Sequence, residues 1–152
     1  MEKQILKVSY IYGLYQQIRY IILIFITLAL SYYLKEYFNI IILLSGVILL
    51  RIIYGIIYYK LIRIEIYKDH LSLKEGVFTS SVNFIELYRV KDYSSYQSFF
   101  MKVFGIMNVT LYTSDKTTPI LKLKGIPKSN IIDVIRLKVE NQRKLKGVRE
   151  FD

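Results

Sequence analysis

The sequence predicts a membrane α-hairpin followed by a small α+β domain, whose curved antiparallel sheet or partly open barrel is capped by a C-terminal helix. Three observations predict it. Two apolar segments, Tyr20–Leu34 and Phe38–Tyr59, lie back to back near the N-terminus. From Leu61 onward apolar and polar residues alternate with the period of a half-buried strand. After Pro127 the period lengthens to that of an amphipathic helix. The 152 residues therefore divide into a lead-in and hairpin (1–60), a compact head (61–147) and a short tail (148–152). The hydrophobic fraction of 53% is concentrated in the first of these.

The first apolar run carries no formal charge, but its 15 residues rise only about 22 Å as a helix, against a hydrocarbon core of roughly 30 Å. The span must borrow its flank back to Leu14, with Arg19 snorkelling to the inner interface and Tyr32, Tyr33 and Tyr37 as an aromatic belt at the other end. Lys35-Glu36 leads straight into the second run with no small-residue cleavage site, which argues against a signal peptide. Arg51 interrupts the second span about 20 Å from Phe38. Snorkelling is the preferred reading, with a polar contact in an oligomeric bundle and transport chemistry as the alternatives. Upstream, Ile5, Val8, Tyr12 and Tyr15 recur at helical spacing and suggest an amphipathic lead-in along the inner interface.

Positive charge sets the expected orientation. Lys3, Lys7 and Arg19 precede the first span, Lys60 and Arg63 follow the second, and the connecting turn is net neutral. The positive-inside rule then places a two-span protein in the cytoplasmic membrane with both termini cytoplasmic.

In the head, Ile62, Ile64 and Ile66 alternate with Arg63, Glu65 and Tyr67, and a Lys68-Asp69-His70 turn leads to Leu71 and Leu73, giving a β-hairpin with one buried face. Further strands are expected at Val77–Phe84, Leu87–Tyr93, Asn108–Thr113 and Ile120–Lys124, the last two joined by a Ser114-Asp115-Lys116 turn. A helix follows Pro127, with Ser129 as N-cap, Ile132, Ile135 and Val139 inward, Lys138, Asn141, Gln142 and Arg143 in water, and Gly147 as stop.

Composition excludes several kinds of chemistry. With no cysteine there is no disulfide, thiolate metal site or cysteine nucleophile. The single histidine, His70, reads as a solvated turn residue, and its neighbour Asp69 is expected to be too close in sequence to form a catalytic pair with it. No catalytic, metal or cofactor constellation appears, and an enzyme is not expected. Net charge is +10, of which residues 60–152 hold 17 basic against 10 acidic side chains, or +7. A basic head beside a bilayer suggests attraction to anionic headgroups. Nucleic acid is not expected, because no basic stripe is interleaved with base-stacking aromatics.

One order of features has a known counterpart. Gly76 after the first hairpin, Ile85 to Tyr93 along the middle strand, Gln97-Ser98 before Phe104-Gly105, Asn108-Val109-Thr110-Leu111, Thr113-Ser114-Asp115 and Leu123-Lys124-Gly125-Ile126 together resemble the bacterial PH-domain family over about residues 10–146. Members of that family often place a two-helix membrane hairpin before a pleckstrin-homology-like module. The resemblance implies a short helix between strands at Tyr96–Phe104. There, Phe100 and Phe104 are expected to cap the open end of the sheet, or Phe99 and Met101 to remain exposed as a lipid or protein contact.

PH domains that bind phosphoinositides use a basic cluster near their first hairpin, so the same comparison points to Arg63, Lys68 and Lys74. As solvated strand-edge charges these imply diffuse attraction rather than a specific headgroup cage. The lipid-facing candidates are thus Arg19, Arg51, Lys60, Arg63, Lys68 and Lys74, and the protein-contact candidates Tyr96, Phe99, Phe100 and Met101. The expected function is that of a membrane-anchored interaction or scaffold module whose partners are the lipid bilayer and a protein or second copy of the chain, contacted through a sheet edge, the Tyr96–Phe104 segment or the 148–152 tail. The alternative is an accessory subunit of a transport or export assembly.

Overall fold

The computed structural model describes residues 3–147; the tail at 148–152, one of the expected contact segments, lies outside them. Two helices, α1 (Tyr10–Tyr33) and α2 (Phe38–Leu61), run antiparallel around a 3-10 turn at Lys35–Tyr37. The seam on α2 is Ile41, Ser45, Ile48, Ile52 and Gly55, an alternating spacing of four and three residues that keeps one stripe facing a neighbouring helix. At its middle Ser45 Oγ donates to Thr27 Oγ1 at 3.0 Å. Thr27 Oγ1 in turn donates to the Ile24 carbonyl at 2.9 Å, so neither buried hydroxyl lacks a partner and the pair links the two helices.

Outside that seam the helices present Phe25, Leu43 and Leu50 at 68%, 72% and 67% exposure. A buried helix of a water-soluble core would hide such residues. Both helices are long and apolar enough to cross a membrane, and only 17% and 28% of their most apolar stretches are buried.

The lead-in is helical only from Tyr10 onward, which takes in Tyr12 and Tyr15 but not Ile5 and Val8. Gln4–Lys7 forms a strand, β1, paired antiparallel with β2 (Arg63–Ile66), so that Lys7 faces Arg63 and Gln4 faces Ile66. The helical pattern does not reach back to Ile5, because an open sheet edge offers the backbone hydrogen bonds that the four residues of β1 cannot make among themselves. Val8 and Tyr12 consequently enter the core of the head.

β3 (His70–Glu75) and β4 (Ser81–Glu86) complete a sheet of order β1-β2-β3-β4. The expected strand from Val77 begins four residues later. Gly76 has φ +121°, where a side chain would overlap the carbonyl oxygen of Thr79, and the chain leaves the sheet in a loop before returning at Ser81. Likewise Leu87–Arg89 is a 3-10 turn, after which β5 (Val90–Tyr96), β6 (Ile106–Thr113) and β7 (Ile120–Pro127) form a second antiparallel sheet. A five-residue helix, α3 (Phe99–Val103), joins β5 to β6. The described strands make two sheets facing one core and do not close into a barrel.

The last helix, α4 (Ile131–Lys146), has Asn130 rather than Ser129 at its N-cap position, with no side-chain capping bond, and ends at Gly147. Ile131, Ile135 and Val139 are its core residues, with Ile132 only partly buried. Gln142, expected in water, is 7% exposed. Lys138 Nζ donates to the Tyr67 carbonyl at 3.2 Å and Arg143 Nη2 to the Val90 carbonyl at 2.6 Å, so two expected surface cations tie the helix to the sheets.

Strand register gives the head two ends. Lys7, Arg63, Lys74 and Ser81 lie at the end that receives the hairpin, as do Tyr96, Asn108, Gly125 and α3. The Lys68-Asp69 turn, Leu87–Arg89, the Ser114–Lys116 turn and the C-terminus of α4 lie at the far end.

Candidate functional site

The hairpin is built into the head rather than hung from it. Only Ile62 separates α2 from β2, and only Val8 and Ser9 separate β1 from α1. Val8 and Ile62 are 8% and 4% exposed, and Ser9 N–H donates to the Gly125 carbonyl at 2.8 Å. Tyr12, 2% exposed, packs edge-on to Tyr59 with ring centres 5.4 Å apart. Each crossing is short and buried. The head is therefore held at a set height and tilt relative to the helices.

At this near end three cations stand in register across three strands: Lys7 opposite Arg63, and Arg63 opposite Lys74. Directly opposite residues project to the same face of a sheet, and like charges there repel. All three are exposed, as is Lys60. Lys7, Lys60 and Arg63 line one shallow groove with Tyr59, while Arg63 and Lys74 line a second with Phe78. Such a row does not strengthen the sheet; it is suited to a layer of anions. Of the expected basic set, Arg63, Lys74 and Lys60 come together. Lys68 does not, since it sits at the far end of the β2–β3 turn, five residues and about 16 Å of strand from Arg63. Lys7 was missed, and the signal was Ser9, a residue type that favours helix N-caps and so releases residues 3–8 from the helix.

The acidic groups at the far end are paired locally. Arg89 Nε donates to Glu86 at 2.9 Å, and Asp115 lies 3.9 Å from the same guanidinium. Hydrogen bonding to Tyr88, then the Arg89 charge, holds the Glu86 carboxyl below its ordinary value; backbone and side-chain donation from Thr117 does the same for Asp115. Asp69 and His70, expected not to meet, do so: Nδ1 and Oδ1 are 2.7 Å apart and the imidazole stacks on Tyr67 at 4.4 Å. Asp69 lies in the bend before β3, outside the strand in which successive side chains alternate between faces. Among the described residues no group of three His, Cys, Asp or Glu side chains is placed to hold a metal.

Arg19 and Arg51 share one ring. Their guanidinium carbons stand 4.8 and 5.0 Å from the centre of Tyr20, and Arg51 is 5.9 Å from Tyr54. Counted along the helices the two arginines lie about 14 and 15 Å from the head. They therefore form one level across the hairpin, with aromatic faces partly offsetting their charge.

In the Tyr96–Phe104 segment Phe99 is exposed as expected, whereas Met101 is not. Ser98 Oγ accepts a bond from Met101 N–H at 3.4 Å and starts α3. Met101 then points inward at 2% exposure, and is core rather than contact. Phe100 and Phe104 do not cap the sheet; they stand 55% and 49% exposed beside Phe99 at 75% and Val103 at 65%. In a helix of little more than one turn a single position faces the core, and Met101 takes it. Tyr96 is 64% exposed. Phe78, read as part of a strand, is 90% exposed on the loop after Gly76 and stacks on Tyr54 at 6.2 Å.

Against known proteins, the chain matches the family model described as "Bacterial PH domain" over residues 14–140, a stretch that takes in both helices and most of the head. Neither the curated proteins nor the solved structures returned a match.

Proposed function

Because the chain belongs to the bacterial PH-domain family, we propose that it is a membrane-anchored interaction module, its hairpin spanning the cytoplasmic membrane with both ends in the cytoplasm. The head works at the inner lipid surface as a binding module rather than an enzyme. It draws on anionic headgroups through the row Lys7, Arg63 and Lys74, and engages a protein partner or a second copy of the chain. One observation carries this reading: the apolar flanks of α1 and α2 are turned outward over their whole length while their bases are buried in the head. A soluble fold has no use for that arrangement, because exposing two aliphatic helices to water costs about 25 cal/mol per Å².

The cation row supports the orientation. It sits at the end of the head from which the hairpin leaves. Each cation held close to an anionic leaflet there adds about 1 kcal/mol to the attraction. For a protein partner, β4 is an edge of its sheet with Val82 and Phe84 exposed at 42% and 63%. Unpaired edges are ready templates for a further strand.

The chain contains no cysteine, so single replacements report topology cleanly. In intact cells a membrane-impermeant thiol reagent should label Lys35→Cys and spare Lys116→Cys. Labelling of Lys116→Cys alone would invert the orientation. Release of the whole chain by alkaline carbonate would remove the spans.

A further inference from the structure

We propose that α3 and the Phe78 loop are lipid-inserting wedges, one beside each helix of the hairpin, which seat the head in the inner leaflet. The proposal rests on the anchoring reading above and adds a depth and a set of residues to it.

Two apolar features of the near end stand outside the core of the head, and each touches the hairpin. Phe100 of α3 lies 6.2 Å ring to ring from Tyr15 of α1, and Phe78 stacks on Tyr54 of α2 at 6.2 Å and 17°. Around these contacts Phe99, Val103 and Phe104 stay about half to three-quarters exposed, and Phe78 is 90% exposed. Aromatic groups this bare, in two segments far apart in sequence, would each be costly in water.

Helix length says what covers them. A hydrocarbon core of about 30 Å takes about 20 helical residues. Counted from the turn end of the hairpin, at Tyr33 on α1 and Phe38 on α2, that thickness reaches Gly13 and Tyr58, beyond both Tyr15 and Tyr54. A core of that thickness takes in the flank of α1 back to Leu14, with Arg19 and Arg51 snorkelling towards the head, and so brings its inner margin to the level of Phe78 and Phe100. Rings packed against Tyr15 and Tyr54 share their depth, at the inner margin of the acyl region where aromatic side chains are favoured. Phe99, Val103 and Phe104 broaden this contact on the α1 side. The head is thus held by four elements, two spans and two shallow wedges, and it cannot tilt about the hairpin.

The chain has no tryptophan, so each single replacement is its own probe. The full chain is reconstituted in vesicles of phosphatidylcholine and phosphatidylglycerol, with or without bromine on the acyl chains. Leu43→Trp, exposed in the middle of α2, reports the span; Leu145→Trp, exposed near the end of α4, reports the far end. Phe78→Trp and Phe99→Trp test the wedges at positions open enough to accept the ring. Brominated lipid should quench Leu43→Trp, Phe78→Trp and Phe99→Trp at least twofold and leave Leu145→Trp unchanged. If Leu43→Trp is quenched while the two wedge positions behave like Leu145→Trp, the wedge proposal is wrong and the anchor stands. If Leu43→Trp is not quenched, the anchor reading fails and takes the wedges with it. Blue-shifted but unquenched emission at Phe78→Trp and Phe99→Trp would assign these surfaces to a second copy of the chain, and would also overturn the proposal.

Discussion

Tyr12 occupies the space that a side chain on residue 125 would need. Gly125 has φ +63°, and a Cβ built on it would overlap the Tyr12 ring, while its N–H donates to the Asn108 side-chain oxygen at 2.8 Å and its carbonyl accepts from Ser9. Glycine is required twice over, by backbone conformation and by contact. Gly125→Ala should destabilise the protein by about 1–3 kcal/mol, and Tyr12→Ala by about 3–5 kcal/mol through a core cavity. Thermal unfolding in detergent micelles measures both; a Gly125→Ala protein as stable as the parent would mean that the hairpin base can shift freely.

α3 offers a contrast between two neighbouring apolar residues. Met101→Ser should lower stability by about 2–5 kcal/mol, as for other large-to-small core changes. Phe99→Ser should leave the melting temperature in micelles nearly unchanged, because the ring is 75% exposed and lies outside the core. Equal losses from the two would show that α3 is turned differently from the orientation described.

β1 makes the head discontinuous in sequence. A fragment beginning at Lys60 lacks the β1 strand and Tyr12, and leaves the β2 edge open. It should melt well below a variant in which residues 14–58 are replaced by a short Gly/Ser linker that keeps β1 and Tyr12. Coincident melting curves would argue that β1 adds nothing to the head.

That linked variant also isolates the cation row. Sedimentation with anionic vesicles should fall about 100-fold for a triple Lys7→Gln, Arg63→Gln, Lys74→Gln change, from roughly 1 kcal/mol per cation near the surface. Lys68→Gln and Lys116→Gln, at the far end, should have little effect. Binding of the parent should weaken steeply with salt as the Debye length shrinks from about 10 Å at 0.1 M. A salt-resistant preference for one phosphorylated lipid would point instead to a stereospecific site.

The Lys3–Glu65 pair gives β1 a pH dependence. Lys3 Nζ lies 2.9 Å from one Glu65 oxygen and Tyr67 donates to the other at 2.7 Å, so the carboxyl titrates below its ordinary 4.5, chiefly through the Lys3 bond. A depressed folded value means the stabilisation is present above about pH 4.5 and disappears as pH falls through the lower, folded value. The stability difference between the parent and Glu65→Gln should therefore be seen at pH 7 and vanish in acid. A difference that persists unchanged at pH 2 would assign the effect to something other than this charge.

The sequence by itself determined the large division of the chain. Apolar runs of this length favour helices, whose backbone satisfies itself, and the switch of period at Leu61 and again after Pro127 marks where the burial pattern changes. Hence the hairpin, the Ile62–Leu73 β-hairpin, the Ile120 strand, the final helix and its Gly147 stop were legible, as was the family resemblance. Only tertiary structure decided where β1 goes, because four residues carry too little local preference to declare a strand until β2 offers its edge. It also decided which side of α3 faces inward, since a five-residue helix has no period long enough to read. The cation row and the placement of Phe78 and Phe100 beside the hairpin depend on register and on a loop set by Gly76, which bring together residues far apart in the chain.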